Sequence, residues 1–142
     1  MTSAPTCPAQ PDQSPLQVTC GLLRRGDLVL VARRADNQRW ELPGGKQLPG
    51  EDLRACLVRE LAEELGVAVR VQTRLAVVRQ LPPERPLDLH CFCCELVAGE
   101  PQALEHLAIA WVTPAQMLGL DLCPLDRILA RQIMALDAEP AA

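Results

Sequence analysis

Between residues 52 and 65 leucine recurs at every fourth position, as Leu53, Leu57, Leu61 and Leu65, and Gly66 follows at once. That spacing predicts an α-helix with one apolar stripe. The glycine predicts its end, because it takes the left-handed backbone that closes helices. A helix of this kind has to bury its stripe against another layer, and the flanking sequence supplies strands. Residues 18–23 and 28–32 are apolar runs joined across Arg25-Gly26-Asp27, a turn sequence. Residues 40–45 form a short extended piece that ends in two glycines. Residues 67–71, 75–78, 87–97 and 110–112 read as further strands, the one from Leu87 being the longest. Pro114 opens a turn of helix. Residues 125–136 form a terminal amphipathic helix with Leu125, Ile128, Leu129, Ile133 and Leu136 on one side. Strands and helices mix without regular βαβ alternation, so the expected class is α+β (mixed α/β) in one domain over residues 16–137. Residues 1–15 carry Pro5, Pro8, Pro11 and Pro15 among small and polar side chains and are expected to be a disordered tail, with a short C-terminal tail at 138–142.

The same helix carries Glu60, Glu63 and Glu64 toward its C-terminal end, at spacings that place them within about 100° of arc. Like charges that close repel, and the helix dipole disfavours acids there. A divalent cation among the carboxylates removes both penalties, and oxygen ligands suit Mg²⁺ or Mn²⁺. A solvated acidic face with Arg59 as neighbour is the competing reading. Upstream, Gly44-Gly45 lets the backbone approach a ligand closely, and Lys46, the single lysine of the chain, is placed to meet a phosphate or pair with the acids. A glycine hinge with a surface lysine is the alternative.

Read together, these residues run Gly45, five residues, Glu51, seven residues, then Arg59-Glu60-Leu61-Ala62-Glu63-Glu64-Leu65-Gly66-Val67. This resembles the full signature box of the Nudix hydrolases, with no position departing from it. Trp40-Glu41-Leu42-Pro43-Gly44-Gly45-Lys46 is similar to the lead-in of the MutT-type nucleoside triphosphate pyrophosphohydrolases, as are Gly21-Leu22-Leu23-Arg24 and Ala32-Arg33-Arg34. The resemblance implies a Nudix fold, a mixed sheet sandwiched between helices, with the box as a loop–helix–loop. It implies Mg²⁺- or Mn²⁺-dependent cleavage of a nucleoside diphosphate linked to another group. By matching positions, Glu60, Glu63 and Glu64 bind metal with the Gly44 carbonyl, Arg59 orients the glutamates, and Glu51 braces the loop. Arg34 matches a phosphate-contacting arginine. A further catalytic acid comes from a later loop, with Glu105 the candidate and Glu100 the alternative. His90 and His106 are expected to be structural or substrate-side. Asp126, after Pro124-Leu125, matches the place of a base-reading side chain. As an ionised carboxylate it would only accept hydrogen bonds, favouring the amino group of cytosine or adenine; capping the terminal helix is its other reading.

The chain has room for no second domain, which favours a compact enzyme converting a nucleoside triphosphate to monophosphate and pyrophosphate. ADP-ribose or a dinucleoside polyphosphate as substrate, or a nucleotide-sensing module without catalysis, are the alternatives. Fourteen basic against 18 acidic residues give a net charge of −4, which argues against a nucleic-acid polymer as partner. Aromatics at 2%, without tyrosine, leave no base-stacking platform. No apolar run approaches the roughly 18 residues of a membrane span. Seven cysteines, an odd count at irregular spacing with no leader sequence before them, imply packed thiols in a reducing cytoplasm. The closely spaced Cys91, Cys93 and Cys94 do not make the separated pairs of a zinc site. The expected partner is a small nucleotide, the expected assembly a monomer or homodimer.

Overall fold

The structure, a computed structural model, describes residues 14–138. Strand β1 (Leu16–Arg25) turns through Gly26 into β2 (Leu28–Arg33). Two short strands follow, β3 (Trp40–Glu41) and β4 (Gly44–Lys46), and then helix α1 (Leu53–Leu65). Strands β5 (Ala68–Gln80), β6 (Leu87–Ala98) and β7 (Ala108–Val112) lead to α2 (Pro114–Leu118) and α3 (Pro124–Ala138). The sheet runs β3-β2-β1-β6-β5, with β4 on β1 and β7 on β2. All pairings are antiparallel except that of β1 with β6, so the sheet is mixed, as the class demands.

Helix α1 covers one face of the sheet, and α3 covers the other with Met117 of α2 buried beside it. Side chains alternate along a strand, so Cys20 and Leu22 of β1 join Val29, Val31, Leu89 and Cys91 under Leu129, Ala130 and Ile133 of α3. Leu23, Leu30 and Phe92 point the other way, against the fully buried Leu57, Leu61 and Leu65 of α1. Each of these leucines contributes on the order of 1.5–3 kcal/mol. Gly21 makes the close approach possible: a methyl there would sit 3.1 Å from Leu61 Cδ1. The helix ends where its sequence says. The Asp52 side chain accepts from Ala55 N–H at 3.1 Å, and Gly66 adopts φ 71° and donates its N–H to Ala62 O.

Several boundaries differ from expectation, among them those of β1 and β7, which each start two residues earlier than expected. Residues 67–71 and 75–78 belong to one strand, β5, with register shifts between Val71 and Ala76. The long partner β6 offers a continuous ladder, and β-bulges absorb the polar Gln72-Thr73-Arg74 rather than ending the strand. The extended piece at 40–45 splits, with Trp40 and Glu41 on β2 and Gly44 onward on β1. α3 runs to Ala138. The expected N-terminal tail lies outside the described residues except for Ser14 and Pro15, and residues 139–142 lie outside them as well. The cysteines described are free thiols at Cys20, Cys56, Cys91, Cys93, Cys94 and Cys123. Among the described residues no helix is long and apolar enough to cross a membrane.

Candidate active site

The loop between β4 and α1 is held by one guanidinium. Arg59 donates to both oxygens of Glu51 at 2.8 and 3.0 Å, to Glu60 Oε1 at 3.0 Å, to Glu63 Oε1 at 3.1 Å and to the Lys46 carbonyl at 3.1 Å. Glu51 also accepts from Leu48 N–H at 3.0 Å, and Arg59 with that N–H holds its carboxyl down to about 2. Glu51 and Arg59 therefore join loop to helix. Behind them, Thr19 Oγ1 donates to the Gly45 carbonyl at 3.2 Å and fixes the glycine turn against β1.

That turn receives two of the helix acids. A Cβ on Gly45 would overlap the Glu60 carboxylate, and one on Gly44 would overlap the Thr19 carbonyl. Glu64, only 6% exposed, accepts from Gly44 N–H at 3.2 Å. Burial, and then the neighbouring Glu60 carboxylate with a smaller push from Glu41, raise the Glu64 carboxyl to about 9. Glu63 is turned outward to Arg59, so the three acids do not converge, and the described residues contain no ready-made cluster of three metal-ligating side chains. Even so, two carboxylates pressed together against a carbonyl-rich turn form an oxygen-only donor set, and their mutual repulsion is what a hard divalent cation relieves. The residues fit such an ion at Glu60 and Glu64, beside Gly44.

Glu41, which sequence reading passed over as a site residue, is the hub. Its Oε1 accepts from Arg34 Nη1 at 3.1 Å, and its Oε2 lies 3.0 Å from His106 Nε2. Arg34, Asp36, Glu41, Gly44, Glu64, Glu105 and His106 line one open cleft. Glu105 is thus in the cleft, whereas Glu100 pairs with Arg25 at 3.1 and 3.2 Å at the surface. His90 lies elsewhere, 2.6 Å from Gln17 Oε1.

A second, mainly apolar cavity of about 290 Å³ adjoins the cleft, and Arg34, Glu41 and Gly44 line both. Leu16 and Val18 of β1 with Leu87 and Leu89 of β6 form its floor; Lys46, Gln80, Cys123 and Asp126 stand around it. The wall before α3 is tied down on both sides. Trp40 N–H donates to Asp121 O at 2.8 Å, Cys123 N–H to Trp40 O at 2.9 Å, and Arg127 to the carbonyls of Leu118 and Leu120 at 3.1 and 2.7 Å.

Asp126 differs from expectation in both partner and charge. It sits in the first turn of α3, but its side chain accepts from Leu42 N–H of a distant strand connection at 3.3 Å, so the cap reading fails. It is 4% exposed, and burial, then the nearby Glu41 charge, push its carboxyl well above the usual range. A carboxyl pushed up in this way holds its proton more readily, and a protonated acid donates as well as accepts.

Known proteins resemble the chain in sequence and in fold. The NUDIX domain family model matches residues 14–135. A Mycobacterium tuberculosis protein named "Putative 8-oxo-dGTP diphosphatase 2" is 43% identical over 118 residues, covering 78% of this chain and 82% of its own. The CTP pyrophosphohydrolase of Escherichia coli is 35% identical over 127 residues, covering 87% of this chain and 94% of its own. Among solved structures, the E. coli ORF135 protein matches at TM-score 0.76 and 34% identity over 89% of this chain and 94% of that one. A MutT protein from Methanosarcina mazei matches in fold at TM-score 0.78 and 24% identity, over 92% of this chain and 100% of that one. With its box folded as a loop–helix–loop and the family model spanning nearly all described residues, the chain belongs to the Nudix hydrolases.

Proposed function

We propose that the protein hydrolyses nucleoside triphosphates to monophosphates and pyrophosphate, reading a base edge that offers a donor beside an acceptor. The observation that carries this reading is the junction of the two cavities. An acid-lined cleft suited to a cation-bound polyphosphate opens directly into an apolar slot of base dimensions, and both are bordered by Arg34, Glu41 and Gly44. When bound, Mg²⁺ or Mn²⁺ lowers the pKa of a water and screens phosphate charge. Glu60 and Glu64, with Glu63 after release from Arg59 and the Gly44 carbonyl, are the ligands we assign. Arg59 keeps the glutamates oriented, Arg34 and Lys46 contact the phosphate chain, and Glu105 accepts the water's proton. In-line attack at phosphorus asks for positioning and charge stabilisation rather than a covalent nucleophile.

In the slot, a protonated Asp126 presents a donor and an acceptor side by side. The N4–H and N3 of cytosine complement it, as do the N7–H and O6 of 8-oxoguanine. Relatives named for CTP and for 8-oxo-dGTP support the same pair. We place the enzyme in the cytoplasm. The test is a nucleotide panel with Mg²⁺ in ¹⁸O-labelled water. Monophosphate and pyrophosphate, fastest from cytosine or 8-oxoguanine triphosphates, are the expected products; diphosphate with free phosphate, or a preference for ADP-ribose or dinucleoside polyphosphates, overturns the reading.

A further inference from the structure

The loop between β2 and β3 places an acid where the substrate's phosphates are to bind. Asp36 grips Arg34 with both oxygens, Oδ1 to Nε at 2.8 Å and Oδ2 to Nη2 at 2.6 Å. This fills one of the two guanidinium edges on which an oxyanion binds through paired hydrogen bonds. Glu41 takes Nη1 on the other side. One cation thus answers two carboxylates, and the cleft around it adds Glu64 and Glu105.

The two carboxylates are held very differently. Glu41 is inside, with a side chain 17% exposed and its other oxygen on His106. The Asp36 side chain is 63% exposed, and among the described residues its ion-pair partner is Arg34. Its place is set by backbone: Arg34 N–H donates to Arg39 O at 2.8 Å, Gln38 N–H to Arg34 O at 3.0 Å, and Arg39 N–H to Asn37 Oδ1 at 2.9 Å. The loop closes on itself and folds the carboxylate back onto the arginine that opens it. The grip is two-pronged but open to solvent and salt on the Asp36 side, so an anion of higher charge can compete for the same guanidinium edge.

We propose that Asp36 is a specificity-determining residue that competes with the substrate's phosphate chain for Arg34 and yields only to a highly charged one. The proposal rests on Arg34 being a phosphate contact, as in the function proposed above. Asp36 holds the guanidinium in the cleft while the site is empty, gives it up to a polyphosphate, and recaptures it when the charge departs.

Calorimetric binding of an α,β-methylene analogue of CTP with Mg²⁺, together with KM and kcat on CTP, tests this. Asp36→Asn should bind the analogue about three- to tenfold more tightly, with KM falling in step, kcat little changed and the gain shrinking at high salt. Asp36→Ala is the second variant, in case the amide finds a new partner. In an Arg34→Ala background the Asp36→Asn gain should vanish. Unchanged or weaker binding in both Asp36 variants, with Arg34→Ala weakened, means that Asp36 positions Arg34, and the inference fails while the proposed function stands. A gain that persists without Arg34 overturns the inference as well. Undiminished binding in Arg34→Ala alone removes the phosphate role of Arg34 and the inference with it.

Discussion

At the residue scale, two carboxyls are kept buried at a cost in stability, and each makes a prediction. Glu64 is pressed against Glu60 on the Gly44–Gly45 turn. Glu64→Gln keeps an oxygen for Gly44 N–H and cannot ionise beside Glu60, so its melting temperature should equal or exceed the parent's. Its kcat with Mg²⁺ should fall by about 10²-fold or more, because charge stabilisation is the largest catalytic effect. Thermal melts and steady-state kinetics on one preparation give both answers; a turnover near the parent's rejects Glu64 as a ligand. Asp126 is tested by comparing amide and alkyl replacements. Asparagine offers the same donor and acceptor as the protonated acid, so Asp126→Asn should keep the ratio of kcat/KM between cytosine and uracil triphosphates within a few-fold. Asp126→Ala should collapse it roughly 5- to 150-fold, the worth of an unpaired buried polar group. Stability supplies a pH signature. A carboxyl raised by folding contributes fully below its unfolded pKa of about 3.9, and that contribution is lost as pH rises toward the folded value. The melting-temperature advantage of Asp126→Asn over the parent should therefore be smallest near pH 4 and grow toward neutrality.

At the scale of elements, the loop–helix–loop was the part most legible in sequence. Its determinants are local: the leucine stripe, the Asp52 cap, the left-handed Gly66, and the Arg59 contacts with Glu51, Glu60 and Glu63, all within eight positions. The rest of the site was not legible because its contacts are not local. Leu42 and Asp126 are 84 positions apart, and Glu41 and His106 are 65 apart, so no periodicity or spacing links them. Sequence could pick out Arg34 and Asp126 only through family resemblance, and it missed Glu41 because an acid in a short extended piece looks like any exposed strand residue. The loop–helix join makes its own prediction. A methyl on Gly45 displaces the Glu60 carboxylate without touching the core. Gly45→Ala should lower kcat by at least about tenfold, since small misplacements of catalytic groups are expensive. Cooperative unfolding should be retained, as read by denaturant titration followed by circular dichroism.

For the molecule as a whole, the sheet assigns work by face. The α1 face is closed by leucines and Phe92, while the other face, under α3 and Met117 of α2, opens into the cavity beside Asp126. Strand β1 serves both: Thr19 on one side steadies the glycine turn and Val18 on the other floors the slot. Its parallel partner, β6, enters the sheet 71 positions later, where Leu16 meets Leu87. Closing so long a loop is slow compared with winding a helix. During synthesis, residues 45–67 emerge before Phe92 of β6, so the acidic helix gains the full packing of its leucine stripe only when that strand arrives. The slot waits for β6 and then for the wall at Asp126, near the end of the chain. A chain cut before Asp126 would keep the acidic helix but lack one wall of the slot. The slot is the last part of the candidate site that the chain completes.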